Sequence, residues 1–180
     1  MILDKLYNFV QIKIRKVKMG KKCHLNGKVI FKGRRGIQIG DKCILNSGLR
    51  KNALTGFLYT SIGTTGGGSV IIGNNVGISN SCISSQCSIT IEDNVKIGNS
   101  CTIIDTDFHS IYSEHRNDAD YIVKKPIVIK KNAWIGCNSI ILKGVVIGEN
   151  SVVAAGSVVT KSIPDNEVWG GNPAKFLKKI

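Results

Sequence analysis

The most regular feature of the sequence is an aliphatic residue at every sixth position between residues 127 and 161. These positions are Ile129, Ile135, Ile141, Ile147, Val153 and Val159. A second series, mostly of small residues, lies two places before the last five of them: Ala133, Ser139, Val145, Ser151 and Ser157. Residues two apart in a strand point the same way, whereas a helix would turn successive aliphatics by about 240° onto different sides. The pattern therefore predicts very short strands joined by tight turns.

An ordinary hairpin sheet is excluded for the same stretch, because a glycine or polar residue interrupts each strand after about three residues. What remains is a solenoid in which each flank stacks on the coil below, and six-residue repeats are typical of β-helices. The spacing begins near residue 19. It is interrupted at 46–70 and again at 110–125, where charged and polar residues replace the repeat and predict an extruded loop.

The ends of the chain differ from the repeat. In residues 1–18 the apolar positions lie close to helical spacing with Lys and Arg between them, which predicts a short amphipathic helix. Residues 19–162 form the predicted solenoid, and residues 163–180 form a C-terminal cap with one helical turn at 176–179. Two roles for the N-terminal helix stay open: covering the exposed strand edge of the first coil, or attaching to an anionic membrane surface.

Composition and charge narrow the class of protein. Of the 180 residues 42% are hydrophobic and only 6% aromatic, which suits a narrow aliphatic core. Eleven Lys or Arg against the single acid Asp4 in residues 1–35 give +10 of the net charge of +13. No aromatic platform or recognition helix accompanies this charge, so we do not expect nucleic-acid binding. The lack of a signal peptide or membrane-span pattern predicts a cytoplasmic protein, at the inner face of the membrane if the helix attaches there.

The six cysteines include no Cys-x-x-Cys pair, which argues against a zinc ribbon or a thioredoxin-type site. Four of them, Cys23, Cys43, Cys82 and Cys101, are expected at the same inward position as Ala133 and Ser139. We therefore expect small buried thiols and no disulfides.

Several motifs in one order give the sequence a family resemblance. The segments Ala133-Trp134-Ile135-Gly136, Val153 to Lys161 and Gly171-Asn172-Pro173-Ala174-Lys175 resemble those of the hexapeptide-repeat acyltransferases, and within them the sugar and polysaccharide O-acetyltransferases. The resemblance implies an all-β solenoid, a left-handed parallel β-helix. It also implies a homotrimer with active sites between subunits, acetyl-CoA as acetyl donor and no catalytic metal.

The catalytic candidate is His109, where the repeat gives way to the loop. The segment Asp105-Thr106-Asp107-Phe108-His109 matches the family's Asp-x-Asp-x-His segment, and the resemblance gives the histidine the role of general base. A neutral imidazole can remove the proton of a sugar hydroxyl, which is otherwise a poor nucleophile. Strand alternation would place Asp105 and Asp107 on the same face as His109, where one carboxylate could orient the imidazole.

The resemblance also assigns binding positions. The donor would be bound by Trp134 at the cleft, by four residues along its pantetheine arm, and by two lysines near its phosphates. The arm residues are Cys137, Ala155, Thr160 and Lys161, and the lysines are Lys175 and Lys178. Ser79 and Asn80 are the candidates for contact with a small-molecule or glycan acceptor. A covalent acetyl-cysteine at Cys137 is not expected, because no base is adjacent in the sequence.

The sequence predicts an acetyl-CoA-dependent O-acetyltransferase acting on a sugar, nucleotide sugar or glycan, in surface polysaccharide biosynthesis. N-acetylation of an amino sugar, and serine or xenobiotic acetylation, would use the same machinery. A carbonic-anhydrase-like protein of the same fold would need three histidine ligands from neighbouring coils. The histidines of this chain are His24, His109 and His115, and His24 lies too early for such a set. A non-catalytic trimeric scaffold is the other alternative.

Overall fold

The computed structural model describes residues 2–49, 51, 54 and 59–180. In these residues the chain forms one α-helix, α1 (Ile2–Arg15), and twenty β-strands in three sheets. Part of the stretch predicted to be irregular, residues 50, 52, 53 and 55–58, lies outside the described residues.

Successive strands enter the three sheets in turn, so every third strand extends the same sheet until the C-terminal hairpin. Sheet A contains β1 (Lys18–Met19), β4 (Ile37–Ile39), β7 (Ser69–Ile72), β10 (Ser88–Ile91), β13 (Ile127–Ile129) and β16 (Val146–Ile147). Sheet B contains β2 (His24–Asn26), β5 (Ile44–Asn46), β8 (Gly77–Ser79), β11 (Lys96–Asn99), β14 (Trp134–Ile135), β17 (Val152–Val153), β19 (Glu167–Gly171) and β20 (Ala174–Lys179). Sheet C contains β3 (Ile30–Lys32), β6 (Ser61–Thr64), β9 (Cys82–Ser85), β12 (Thr102–Ile104), β15 (Ile140–Ile141) and β18 (Val158–Val159).

Pairing between neighbouring strands is parallel except for β19 and β20, so the predicted parallel β-architecture is confirmed. In the regular region Val128 pairs with Val146, and Ile140 with Val158, 18 residues apart in each case. Three six-residue repeats therefore make one circuit, which we call a coil, with one strand in each sheet. The segments that connect the sheets are called the A/B, B/C and C/A edges. The left-handed sense of the coils stays a prediction.

The core lies inside the coils, at the positions that the six-residue spacing predicts. Ile129, Ile135, Ile141, Ile147, Val153 and Val159 have no exposed surface, and the second series, from Ala133 to Ser157, is at most 1% exposed. The prediction for Cys82 is wrong: its side chain is exposed, whereas its neighbour Ser81 is buried. Alternation counted back from the buried Ile83 gives the inward position to Ser81, whose hydroxyl donates to main-chain oxygens.

The A/B edge is held by a ladder of asparagines. The side-chain amide of each donates to the carbonyl of the next over 2.8–3.2 Å, in the order Asn75, Asn94, Asn132, Asn150 and Asn166. All five have a left-handed backbone, with φ between 56° and 63°. Asparagine tolerates this conformation better than most residues, so one residue type supplies both the turn and the contact between coils.

The helix α1 covers the open end of the first coil. The Asn8 side chain is 3% exposed, its amide donates to the Gly27 carbonyl over 2.8 Å, and its carbonyl accepts from the Val29 amide over 2.9 Å. Ile12 packs against the core beside Val17. These contacts satisfy backbone groups that a further coil would otherwise pair.

The C-terminal cap differs from the prediction. In place of a helical turn at 176–179, β20 forms an antiparallel hairpin with β19. The hairpin extends sheet B beyond β17, which pairs with β19 in parallel. The cap therefore continues the sheet and then closes its edge.

Candidate active site

The predicted loop leaves the coils at the C/A edge, between the end of β12 at Ile104 and the start of β13 at Ile127. Its two ends lie side by side: Thr106 bridges Lys124 in antiparallel fashion, and the Asp107 amide donates to the Val123 carbonyl over 3.1 Å. We call this pairing the loop base. The loop base fixes the point from which the rest of the loop extends.

His109 lies immediately beyond the loop base with an exposed side chain. In the described part of the chain its imidazole has no hydrogen-bond or ion-pair partner. The prediction that Asp105, Asp107 and His109 share one strand face is wrong. The strand ends at Ile104, and Phe108 has a φ of 61°, which breaks the extended alternation.

Asp105 is fully buried and binds the coil that precedes it. Its carboxylate accepts from the Ser85 hydroxyl over 2.6 Å and from the amides of Gln86 and Cys87 over 2.8 and 3.0 Å. These three donors form the turn on which the loop base rests. The structure therefore brings Asp105 to this turn and not to the imidazole of His109.

Asp107 forms an ion pair with Lys143, with 2.5 Å between Nζ and Oδ1. Both side chains are about three-quarters buried, since 26% of Lys143 and 29% of Asp107 is exposed. Lys143 belongs to the following coil, so the pair ties the loop base to its neighbour on that side. Sequence reasoning missed Lys143, because an isolated lysine within the repeat gives no signal of its own.

The outer part of the loop has its own small packing cluster. Two short 3-10 helices, Ser113–His115 and Ala119–Tyr121, place the His115 ring parallel to the Tyr121 ring with 3.8 Å between centroids. Tyr112 meets Tyr121 edge-on at 6.4 Å. His115 is thus a packing residue of the loop, half-buried against an aromatic ring.

Three of the predicted donor-binding residues line one cleft of about 270 Å³. Thr160 and Lys161 follow β18, and Lys175 reaches the cleft from the C-terminal hairpin. The other lining residues are Trp169, Pro173, Ala174 and Phe176. Sequence reasoning did not single out Trp169 or Phe176, whose signal was hidden in the segment assigned only to a cap.

The cleft and His109 share the C/A edge. Thr102 pairs with Ile140, and Ile140 with Val158, so Ile104, Leu142 and Thr160 occupy corresponding places at the ends of their strands. Neighbouring strands lie about 4.8 Å apart, so the cleft begins two strand spacings, or about 10 Å, along the edge from the loop base. Lys143 lies between them.

The remaining predicted residues lie elsewhere on the chain. Trp134 is on the outer face of sheet B and 55% exposed; the other four lie at the end of a sheet B strand or on the B/C edge: Ser79, Asn80, Cys137 and Ala155. Asn80 is buried, and its side chain bonds to the Gly48 amide and the Asn99 carbonyl. Lys178 is exposed in β20 and does not line the cleft. One chain therefore divides the predicted site residues between two regions.

A second cleft, of about 310 Å³, lies on the C/A edge on the other side of the loop base. It is lined by Arg34, Arg35, Gly36 and the turn 64–68. Both arginine side chains are exposed, and no ion pair of either is found among the described residues. The coils in between are in direct contact, since the Thr65 amide donates to the Ser85 carbonyl over 3.0 Å and Ser85 donates to Asp105. A basic cleft thus lies in line with His109.

Comparison with known proteins agrees with this architecture. The family model for bacterial transferase hexapeptide repeats (six repeats) matches residues 126–161. The polysialic acid O-acetyltransferase of Escherichia coli O1:K1 is 39% identical over 117 residues, which is 64% of this chain and 38% of that protein. The mitochondrial gamma carbonic anhydrase 2 of Arabidopsis thaliana is 34% identical over 110 residues, 61% of this chain and 26% of that protein. The chain thus spans well under half the length of these two relatives.

Among solved structures, a hexapeptide-repeat acetyltransferase of Vibrio cholerae in complex with acetyl coenzyme A is similar over nearly the whole chain. It is 29% identical with a TM-score of 0.62, and the match covers 98% of this chain and 78% of that one. Residues 126–161 thus match transferase hexapeptide repeats. The resemblance to the hexapeptide-repeat acyltransferases is therefore confirmed.

Proposed function

We propose that this protein is an acetyl-CoA-dependent O-acetyltransferase that acetylates a hydroxyl of a sugar, nucleotide sugar or glycan. One observation carries the proposal: an exposed histidine at the base of an extruded loop lies on the same edge of the coils as a cleft lined by Thr160, Lys161 and Lys175. The similar proteins named above include an acetyltransferase that acts on polysialic acid and one solved with acetyl coenzyme A. Surface polysaccharide synthesis at the cytoplasmic face of the membrane is the setting that we propose.

The cleft suits the donor. Lys161 and Lys175 are exposed cations of the kind that bind phosphate groups, and Trp169 and Phe176 supply apolar surface beside them. When bound there, acetyl-CoA would supply the acetyl group as a thioester. The remaining donor-binding candidates, Trp134, Cys137, Ala155 and Lys178, lie outside this cleft and belong to the assembly considered below.

His109 supplies the base. Its imidazole is exposed and free to accept a proton from the acceptor hydroxyl while the hydroxyl oxygen attacks, and then to return the proton to the leaving thiolate. Asp107 acts through position: its ion pair with Lys143 holds the loop base that His109 follows. Asp105 supports the loop base from the coil on the other side.

We propose that the acceptor binds on the opposite side of His109 from the donor cleft. There the exposed guanidinium groups of Arg34 and Arg35 suit a phosphate or carboxylate, because a guanidinium binds either group with two parallel hydrogen bonds. We therefore propose an acidic sugar, such as a nucleotide sugar or an acidic glycan, as the preferred acceptor. Ser79 and Asn80 lie on another edge and are not assigned to this cleft.

The assembly that we propose is a homotrimer of left-handed β-helices with active sites between subunits. The support is geometric: Trp134 lies on the outer face of sheet B, whereas His109 and the donor cleft lie on the C/A edge. A site that contains both needs the sheet B face of one subunit beside the C/A edge of its neighbour.

The test is a thiol-release assay with acetyl-CoA against nucleotide sugars, neutral sugars and acidic glycans. We expect turnover with an acidic acceptor and a loss of roughly 10²- to 10⁴-fold in His109→Ala. Coenzyme A binding and subunit assembly should be unchanged in this variant. His24→Ala is the matched control, since His24 is exposed in the first coil and far from the loop. Unchanged turnover in His109→Ala would overturn the mechanism.

The same experiment separates the alternatives. Acetylation only of amines would favour an N-acetyltransferase, acetylation of serine or a xenobiotic would favour those classes, and acetylation of nothing would favour a scaffold. For the carbonic-anhydrase-like alternative, metal analysis of the purified protein is decisive. Within the described residues of one chain, no three histidine, cysteine or acidic side chains lie close enough to hold a metal ion.

A further inference from the structure

The helix α1 is amphipathic in the reverse of the usual sense. The face that packs on the first coil carries the buried polar residue Asn8, whose side chain makes two hydrogen bonds to the coil. The face turned away from the coils carries large apolar side chains, between 41% and 83% exposed: Ile2, Leu3, Leu6, Phe9, Val10 and Ile14. A helix that only covered the coil would place such residues inward.

These six side chains form one continuous stripe. At about 100° per residue, with Asn8 set at zero, they fall between about 100° and 240° and are therefore centred opposite the docked face. The one charged residue inside this arc is Lys13, whose ammonium lies 5.7 Å from the centre of the Phe9 ring. A lysine in this position can lay its methylene chain along apolar surface and keep its charge at a polar boundary.

Positive charge surrounds the stripe. Residues 1–35 contain eleven Lys or Arg and one acid, Asp4. Exposed lysines flank the helix on its own sequence and on the first coil: Lys5, Lys16, Lys18, Lys21, Lys22 and Lys28. The surface thus combines a narrow apolar stripe with a wide margin in which positive charge predominates, and this combination is complementary to an anionic lipid–water interface.

We infer that the outer face of α1 docks this protein on an anionic membrane surface, with the stripe inserted among the lipid headgroups and the lysines over the lipid phosphates. The helix lies in the plane of the interface and does not cross it. At 14 residues it is about 21 Å long, shorter than the apolar core of a bilayer, and no helix in the described part of the chain has the length and apolarity of a membrane span.

The position of α1 in the fold favours a flat partner. It covers the first coil, so its outer face points away from the end of the coil stack. If the proposed trimer forms around an axis parallel to the stacks, three stripes lie at one end and face one plane. A second copy of the chain is a poor occupant, because stacking two such faces would bring two regions of +10 charge together.

The inference is tested by sedimentation of the 180-residue protein with lipid vesicles. One set contains phosphatidylcholine alone and the other contains phosphatidylcholine with phosphatidylglycerol. We expect wild type to bind the anionic vesicles and not the neutral ones. The double variant Leu6→Gln/Val10→Gln should bind at least about tenfold more weakly, because two inserted apolar side chains are lost.

The double variant keeps the net charge of +13, which makes it the decisive control for a protein with a pI near 9.6. If it binds as tightly as wild type, the binding is simple charge adsorption and the inference is overturned. Ile180→Gln, which removes an exposed apolar side chain at the other end of the chain, should bind like wild type. If wild type binds no vesicles, or if the double variant instead abolishes a higher oligomer of wild type, the inference is also overturned. Turnover with a soluble acceptor, measured in parallel, reports separately on the proposed function.

Discussion

At the scale of single residues, the structure separates an aspartate that supports the site from the histidine that would act in it. Asp105 lies four residues from His109 in sequence, yet its carboxylate is used entirely on Ser85, Gln86 and Cys87. Buried donors that lose their acceptor are costly, so the first effect of changing Asp105 should be on stability.

We predict that Asp105→Ala lowers the free energy of unfolding by roughly 3 kcal/mol or more, because three donors lose their partner. Asp105→Asn, which keeps one acceptor oxygen, should lose less. Urea denaturation measures both. In the folded fraction the pH dependence of kcat/KM should stay that of wild type. A variant of full stability with a shifted pH profile would instead assign Asp105 to orienting His109.

The cysteines give a second residue-scale prediction. Burial raises the pKa of the Cys43 thiol from 9.0 to about 11 and also raises that of Cys101. At neutral pH we expect a thiol reagent to modify the exposed Cys82 in the native protein and to reach Cys43 and Cys101 only on unfolding. Cys82→Ser identifies the fast-reacting site. Rapid native-state modification of Cys43 would contradict the predicted burial.

The same shift predicts a pH dependence of stability. An unfolded Cys43 thiol ionises near pH 9, whereas the folded one stays protonated until about 11. The stability that the protonated thiol contributes is therefore complete below pH 9 and is lost as the pH rises towards 11. Denaturation midpoints on either side of pH 9 measure this loss, and Cys43→Ala should make it smaller. An equally steep fall in that variant would assign the effect to other groups.

At the scale of elements, the asparagine ladder of the A/B edge combines a turn conformation with a contact between coils. Asn132 has a φ of 61° and bonds to Asn94 and Asn150. We predict that Asn132→Gly, which loses the amide but fits the turn, costs roughly 0.5–1 kcal/mol, and that Asn132→Ala costs about 1 kcal/mol more. Thermal or urea unfolding measures both. Equal stability of the two variants would show that the left-handed turn is unimportant.

The inward positions of the regular coils could be predicted because alternation along a strand is local. Ala133 and Ile135 are two residues apart, so the inward position of one implies that of the other. Cys82 was misplaced because the buried residues Ile78 and Ile83 are five positions apart and not six, and a one-residue shift exchanges the inner and outer faces. The C-terminal hairpin of β19 and β20 was missed because β19 also pairs with β17, which lies farther back in the chain than a short sequence pattern reaches.

The placement of the candidate site residues could be predicted in part for a similar reason. His109 stood out as the point where the repeat stops, and Thr160, Lys161 and Lys175 do line one cleft. The sequence could not reveal that Trp134 and Asn80 lie in another region, because spacing along the chain does not say which edge of a coil a residue occupies. Arg34 and Arg35 were hidden among other basic residues.

At the scale of the whole molecule, a site built between subunits predicts complementation. We propose co-expressing His109→Ala and Trp134→Glu chains with different tags. If a site takes His109 from one subunit and Trp134 from its neighbour, about a quarter of the sites in randomly mixed trimers carry both native residues, one half multiplied by one half. Purified hybrids should then regain activity that neither variant has alone. Hybrids as inactive as their parents would place both residues in one chain or remove Trp134 from the site.

The loop base described above has a consequence for how such proteins diversify. Thr90 pairs with Val128, 38 residues on, whereas Val128 pairs with Val146 after 18, so this coil holds 20 additional residues without losing register. The register of the strands is kept across the insertion because the two ends of the insertion lie side by side. The residues beyond the loop base can then differ between proteins while the framework and the cleft of Thr160, Lys161 and Lys175 stay constant. Residues 108–122 could therefore be exchanged between related proteins without a change in the pairing of the coils.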